Sequence, residues 1–507
     1  MIIKNSCSFI FSHRFFLFVL ILFLHQIIIG QDHHYWMNMG GTRSALMGGA
    51  VVGGVRDNSA GLYNPAALAF VDKVSHSISS NAYKWNNIII NDGLGKNIKF
   101  KSDQIRIIPS LVSGVFKIDF IPWMDFSYSI AAKDFSLIKV NALHHDKIDI
   151  IDKIENGKYL GNNKFADIFD GPEDFSGQFE FNESLTEYWA GLSWAKKINN
   201  NWSYGITVFI VYRDQDQTDD LNIYAVDANK YQSASNQIMK SVSYYNFRLI
   251  PKFGFSYNEE NIKAGLTVTI PSINLYGDAT VAFIRTSRNL FQINDPESGE
   301  NIYLDLIAMD RQPGLSAVYK SPLSIAAGLE TSVTKSVNIG LTVEYFLGLN
   351  QYTITQPENK IFFKDLDLPQ FENEFSSKNI LRIVDEKKQV LNFAIGLEYQ
   401  LSEIIKSYLS FRTDFRYNKN INNTINTLGI CDWNIYHGSI GALYKLENQE
   451  VSLGIIGSYG SNDIYKQLVN LKQPYPQTGE LFIGSSTVST KAYYWSIGLS
   501  LGFTYYL

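Results

Sequence analysis

The chain has 507 residues, a formal net charge of −5, 14% aromatic and 18% charged side chains. That mild charge, with no basic cluster interleaved with aromatics, offers nothing to nucleic acid. After the first thirty residues no stretch approaches the ~20 consecutive apolar residues of a membrane helix, and Cys431 is the one cysteine left, which excludes a disulfide framework.

In chain order, residues 1–30 carry Lys4, His13 and Arg14, a largely apolar run from Phe15 to Ile29, and the small Gly30. This is the pattern of a secretory signal peptide, with the mature chain beginning near Gln31. The competing reading, an uncleaved membrane anchor, has a run that is short for a span.

The next stretch, Gly40 to Phe70, concentrates glycine and alanine. Gly48, Gly49, Gly53 and Gly54, with Ala45, Ala50 and Ala60, permit close approach of one backbone to another. Asp57 and Asn58 suit a turn. Asn64 followed by Pro65 has the chemistry of a helix start, an N-cap and a first-turn proline, continued by Ala66 to Ala69. A nucleotide-binding loop fails because no Gly-Lys-Ser/Thr follows the glycines; a flexible linker is the plain alternative.

From residue 73 the period is two. Trp495, Ile497, Leu499, Leu501, Phe503, Tyr505 and Leu507 alternate with small or polar residues over more than ten positions. A strand crossing a bilayer needs ~9–11 residues, apolar toward lipid. Tyr204 to Tyr212 and Val337 to Tyr345 read the same way, with Phe209 and Val211 as exceptions. Leu409, Phe411, Phe415 and Tyr417 face away from Ser410, Arg412, Asp414 and Arg416, whose charges belong inside. Short turns fall at Asp119–Pro122, Lys197–Asn201, Glu259–Glu260, Thr334–Ser336, Ser402–Ile405 and Glu447–Asn448. Long connections fall near 134–184, 214–241, 277–320, 348–389, 418–432 and 461–489, the short-periplasmic, long-outer alternation of outer-membrane barrels. Tyr399, Trp433, Tyr444, Tyr459, Trp495 and Tyr505 sit near strand ends, where an aromatic girdle would lie.

The fold class that follows is all-β: a transmembrane antiparallel β-barrel of about fourteen strands. Such a barrel is too wide for its own side chains to fill, so its lumen is an open channel or holds a plug. The expected organisation is a signal peptide at 1–30, a hatch of short helices at 31–72 inside the lumen, and the barrel with long extracellular loops at 73–507.

The run Gly41 to Ala50, the acidic turn Asp57-Asn58, and Asn64-Pro65-Ala66-Ala67-Leu68-Ala69 resemble the N-terminal signature of the outer-membrane long-chain fatty-acid transporter (FadL) superfamily. That superfamily also holds aromatic-hydrocarbon transporters and a secretion-associated PorV-like branch. The resemblance implies a fourteen-stranded barrel with a hatch in the lumen. In the transport branch it implies a hydrophobic ligand leaving sideways through a wall opening near the Asn-Pro-Ala region. Carried over by residue, Asn64, Pro65 and Ala66 would be the hatch motif, and Arg43, Met47, Gly48 and Gly49 the preceding hatch segment. The Met-Gly-Gly-Ala wording is nearer the Bacteroidetes members.

The favoured function is therefore passive uptake of a hydrophobic, fatty-acid-like small molecule across the outer membrane, through an apolar tunnel passing Met47 to a strand distortion beside Asn64. A PorV-like partner of secretion-system proteins, and a general porin, are the alternatives. The expected contacts are outer-membrane lipid and the ligand. Phe362-Phe363, Leu366 to Leu368 and Ile302 to Ile307 are loop candidates for an apolar pocket. The tract Asp214 to Asp220 offers carboxylates to a divalent cation but lacks a calcium-loop spacing. His33-His34 and His144-His145 are adjacent pairs rather than spaced ligands. No enzyme motif, catalytic residue, metal site or cofactor is expected.

Overall fold

The computed structural model describes residues 34–55, 57–71, 73–149, 172–227, 232–294, 301–359, 376–417, 428–472 and 489–507. The expected signal peptide, and the apolar candidates Phe362-Phe363 and Leu366 to Leu368, lie outside the described residues.

The strands are β1 (Ser75–Ile90), β2 (Phe100–Phe116), β3 (Asp125–Ile148), β4 (Glu173–Lys197), β5 (Trp202–Asp227), β6 (Gln232–Asn258), β7 (Ile262–Thr269), β8 (Ile273–Asn294) and β9 (Asn301–Ser316). There follow β10 (Ser324–Thr334), β11 (Val337–Phe346), β12 (Leu349–Thr355), β13 (Ile383–Lys387), β14 (Val390–Gln400), β15 (Ile405–Asp414), β16 (Asn434–Lys445), β17 (Gln449–Lys466) and β18 (Ser489–Tyr506). Fourteen of them close an antiparallel ring, in the order β1 to β7, β10, β11, β14 to β18, with β18 returning to β1 from Ser75↔Tyr506 to Ile90↔Ala492. The other four stand outside the ring's count. The β8–β9 hairpin continues β7 and β10 outward after breaks that contain Pro271 and Pro322, residues without a backbone N–H for the ladder. The β12–β13 ribbon prolongs β11 and β14.

Alternation sets which face is wet. Ile497, Leu501, Phe503 and Tyr505 are exposed on the outer wall, as are Leu341, Val343 and Tyr345, while Ser496, Ser500 and Thr504 are buried inside. The outer apolar band is bounded by aromatics: Tyr505, Tyr444, Tyr399 and Trp202 toward the short turns, and Trp495, Tyr459 and Tyr436 toward the long ends. Ten residues separate Tyr505 from Trp495 on β18, which at ~3.3 Å per residue and a tilt of ~40° spans the ~25 Å apolar height of such barrels. Trp433 is a correction. It is 1% exposed and stacks on Tyr494 in a core at the long-connection end of the barrel, because it precedes β16 rather than lying in its lipid-facing register. Tyr417 is another. β15 ends at Asp414, so the alternation lapses and Tyr417 turns into the lumen, 3% exposed.

All six short turns lie where expected. The long connections differ: β3 to β6 run 24 to 27 residues, so most of 134–184 and 214–241 is strand rather than loop, and 277–320 is largely the β8–β9 hairpin. The stretch Asp214 to Asp220 is polar on both faces, so no hydrophobic alternation marks it, whereas Phe175, Phe179, Phe181, Leu221 and Ile223 further out alternate inward into a second core. The acidic tract thus lies on β5, laddered to β4 and β6. Among the described residues no group of three His, Cys, Asp or Glu is placed to hold a metal ion.

Candidate functional site

The N-terminal segment runs inside the ring from His34 to Val71 and is buried almost throughout. It touches every ring strand: Gly41 N donates to Ser79 Oγ of β1, Gly40 packs on Leu111 of β2, and Gly61 lies against Ser127 of β3 and Ser193 of β4. Ser203 Oγ of β5 donates to Ala66 O, Lys252 Nζ of β6 to Leu62 O, and Val52 N to Thr342 Oγ1 of β11. Trp36 N meets Asp414 of β15, Ser439 Oγ of β16 donates to Leu46 O, and Thr504 Oγ1 of β18 reaches Thr42. The wall makes room with glycines of its own. A methyl group at Gly265 or Gly328 would collide with the Val52 backbone, at Gly340 with Ala50 O, at Gly396 with Met47, and at Gly454 with Leu46.

Within the segment, Gly48 (φ 62°) and Gly49 (φ 83°) turn the chain through left-handed backbone that other residues resist. Asp57 gathers it: Oδ2 accepts from Arg43 N and Ser44 N, both at 3.0 Å, and Oδ1 from Ser59 N at 3.0 Å. Helix α1 (Ala60–Tyr63) leads through Asn64 into a 3₁₀ helix, Pro65–Phe70. Asn64 Oδ1 accepts from Ala66 N at 3.1 Å, the cap its spacing predicts, while Nδ2 donates to Val52 O at 3.0 Å and to Phe255 O of β6 at 3.1 Å. Arg43 is the ionic anchor. Its Nε donates to Glu398 at 2.6 Å, Nη2 to Glu330 at 3.0 Å and Nη1 to Gly54 O at 3.1 Å, all buried.

The seven residues singled out in the sequence do not converge on one point. Met47 packs at β11 and β14, Gly48 at Ser410 of β15, Pro65 at Gly205 of β5, and Asn64 against β6 and β7. Only Gly49 of the seven borders the main cavity. That cavity, about 100 Å³, lies above the segment among β3 to β7, β10 and β11. Tyr35, Trp36, Met39, Leu62 and Tyr63 of the segment floor it, and Trp189, Ile250, Tyr319, Phe346 and Tyr417 line its sides. Five cations border it, Lys133, Arg213, Arg248, Lys252 and Lys387, with two carboxylates, Glu187 and Glu344. Glu187 bridges Arg213 at 3.0 Å and Arg248 at 2.7 Å; Glu344 accepts from Trp36 Nε1 and Ser324 Oγ; Lys387 pairs with Asp385 at 3.1 Å. Tyr319 holds three cations about its ring, Arg213 at 4.0 Å, Lys387 at 4.3 Å and Arg248 at 4.9 Å. His34 lies at the cavity margin, its Nε2 2.9 Å from Trp433 O. Burial pushes its pKa down to about 4, opposed by that hydrogen bond and aided by Arg416, so it is neutral at physiological pH.

Sequence reasoning missed the cavity. The signal present was charge at inward register in β3 to β6, where Lys133, Glu187, Arg213, Arg248 and Lys252 interrupt otherwise ordinary strands. The tunnel expected past Met47 is not where the open space lies, and the wall beside Asn64 is regular, with β6 and β7 paired without a shift from Lys252↔Thr269 to Asn258↔Lys263. The wall parts elsewhere. The β2–β3 ladder holds only from Leu111↔Ala131 to Phe116↔Phe126. Above Leu111 no ladder pairs the two strands, although Ser102 Oγ accepts from Lys139 N; Pro109 lies in β2 at a register shift against β1, and β3 is bulged between Ala132 and Asp134, at Lys133.

A closed ring of fourteen antiparallel strands with an apolar outer band and an occupied lumen defines the chain as an outer-membrane β-barrel. Its fold is that of the FadL-type barrels. Over 94% of this chain and 99% of the other it is similar to the structure of a Pseudomonas aeruginosa FadL homologue, with 14% identity and a TM-score of 0.55. It is similar over 93% of its length to the Ralstonia pickettii toluene transporter TbuX (99% of that chain, 10% identity, TM-score 0.52) and to the P. putida toluene transporter TodX (99%, 11%, 0.51). No protein-family model matches the sequence, and no curated protein is significantly similar to it.

Proposed function

We propose that the chain is an outer-membrane channel for hydrophobic small molecules, passively conducting, with residues 31–72 as the hatch that closes its lumen. The observation that carries this reading is the aromatic-lined cavity between that segment and the wall. A porin would need a wet pore, and a secretion partner would need no lumen cavity. The hatch residues divide the work: Arg43 ties the segment to Glu330 and Glu398, Met47, Gly48 and Gly49 shape its turn against the wall, and Asn64, Pro65 and Ala66 hold the second turn. A ligand resting above Leu62 and Tyr63 faces the parted β2–β3 wall at Lys133, which supports a sideways exit. The test is organic extraction and mass spectrometry of protein purified in mild detergent, beside the cavity-filling variant Leu62→Trp. An apolar molecule recovered from the parent and absent from the variant supports the reading; none from either overturns it.

A further inference from the structure

Not all of the cavity's positive charge is neutralised by the protein. Arg213 and Arg248 share one carboxylate, Glu187, and Lys387 has Asp385. Lys133 and Lys252 have no carboxylate within 4 Å among the described residues, although Lys252 donates to Leu62 O. The two ammonium groups repel each other. Arg248 is fully buried, yet its Nη1 donates to nothing, while Nε is given to Ser321 and Nη2 to Glu187. Glu344 faces both lysines and offsets part of their charge without forming an ion pair with either, its two oxygens accepting from Trp36 and Ser324. A buried donor without an acceptor, beside two ammonium groups with no carboxylate in contact, is costly unless something negative completes it.

The rest of the cavity limits what that negative group is attached to. Four of its lining side chains, Trp36, Tyr63, Trp189 and Tyr319, are aromatic. A free volume of about 100 Å³ is of the order that takes one ring, since an apolar cavity of ~150 Å³ holds benzene. We infer that the lumen cavity is a binding site for a compact aromatic monocarboxylate, its ring between the tryptophans and its carboxylate received by Arg248, Lys133 and Lys252. This rests on the channel reading above and narrows its ligand from any hydrophobic molecule to one with an anionic end. An ionised acceptor meeting several buried donors makes the charge-assisted hydrogen bonds that are strongest.

Lys133 provides the cleanest test, since removing it breaks no ion pair. Isothermal titration of the full-length protein in detergent would compare benzoate with toluene, its uncharged counterpart, in the parent, Lys133→Gln, Lys133→Arg and Leu62→Trp. The expected result is that benzoate binds at least ~10-fold tighter than toluene, a factor worth one 1.4 kcal/mol step in affinity. Lys133→Gln is expected to lose most of that preference with toluene binding unchanged, Lys133→Arg to restore it, and Leu62→Trp to abolish both. Equal binding of benzoate and toluene, or a benzoate preference indifferent to Lys133→Gln, overturns the inference and leaves the channel reading standing. Binding of neither compound also overturns the inference, and the channel reading is then decided by the extraction experiment above.

Discussion

The lumen has two regions built on opposite principles. Around Met47 to Gly54, the N-terminal segment meets the wall backbone to backbone, with glycine against small residues and one buried ionic anchor at Arg43. A few residues above, the same lumen is lined by long aromatic and cationic side chains around open space. Close packing fixes a position because a misplaced methyl has nowhere to go; a cavity with surplus charge is a place where something else fits. The difference teaches that the segment's glycines and the wall's glycines are one feature, and that the cavity is a separate one.

Perturbations that attack the packed region should open the barrel, and those that attack the cavity should leave it shut. The largest effect is expected from deleting residues 40–70. Planar-bilayer recordings should then show a large steady conductance, and conductance equal to the parent's would mean that the segment does not close the lumen. Next comes Arg43→Ala, which breaks the buried ion pairs to Glu330 and Glu398 that tie the segment to the wall. Breaking a buried pair costs ~3–5 kcal/mol, so the segment should undock often enough to produce bursts of channel opening and protease cleavage near residue 43. Gly340→Val would push side-chain atoms into Ala50 O, an overpacking penalty of ~1–3 kcal/mol, and should lower the temperature at which the barrel unfolds on a heat-modifiability gel. The smallest effect is assigned to Asn64→Ala. It removes a cap worth ~1 kcal/mol and the bonds to Val52 O and Phe255 O, which should appear as faster amide exchange between Val52 and Ala66 with the barrel strands unchanged. Lys133→Gln should alter none of these four readouts.

Much of the fold was legible because lipid imposes period two on every crossing. The turns after β2, β4, β6, β10, β14 and β16, and the inward register of Arg412 and Asp414, follow from that constraint alone. Above the membrane the constraint lapses, so Asp214 to Asp220 read as loop although they are strand. The candidate site was legible in part. Gly48, Gly49 and the Asn64 cap announced themselves through backbone chemistry that few other residues allow. Their wall partners, Gly265, Gly328, Gly340, Gly396 and Gly454, looked like ordinary inward small residues, because what they face is hundreds of residues away. The cavity cations were hidden for the same reason: nothing local says that Lys133, Arg213 and Arg248 meet across three strands.

The contact between Thr42 and Thr504 spans 462 positions, and the ring shuts only when β18 reaches β1. A chain delivered from its N-terminus therefore presents the segment first, before any wall exists for Met47 or Val52 to rest against. Contacts this distant in sequence form slowly. The residues that enter the periplasm earliest must wait until the last strand is made, and a truncation that removes β18 would leave the segment as an exposed glycine-rich, apolar strand of chain for chaperones to hold.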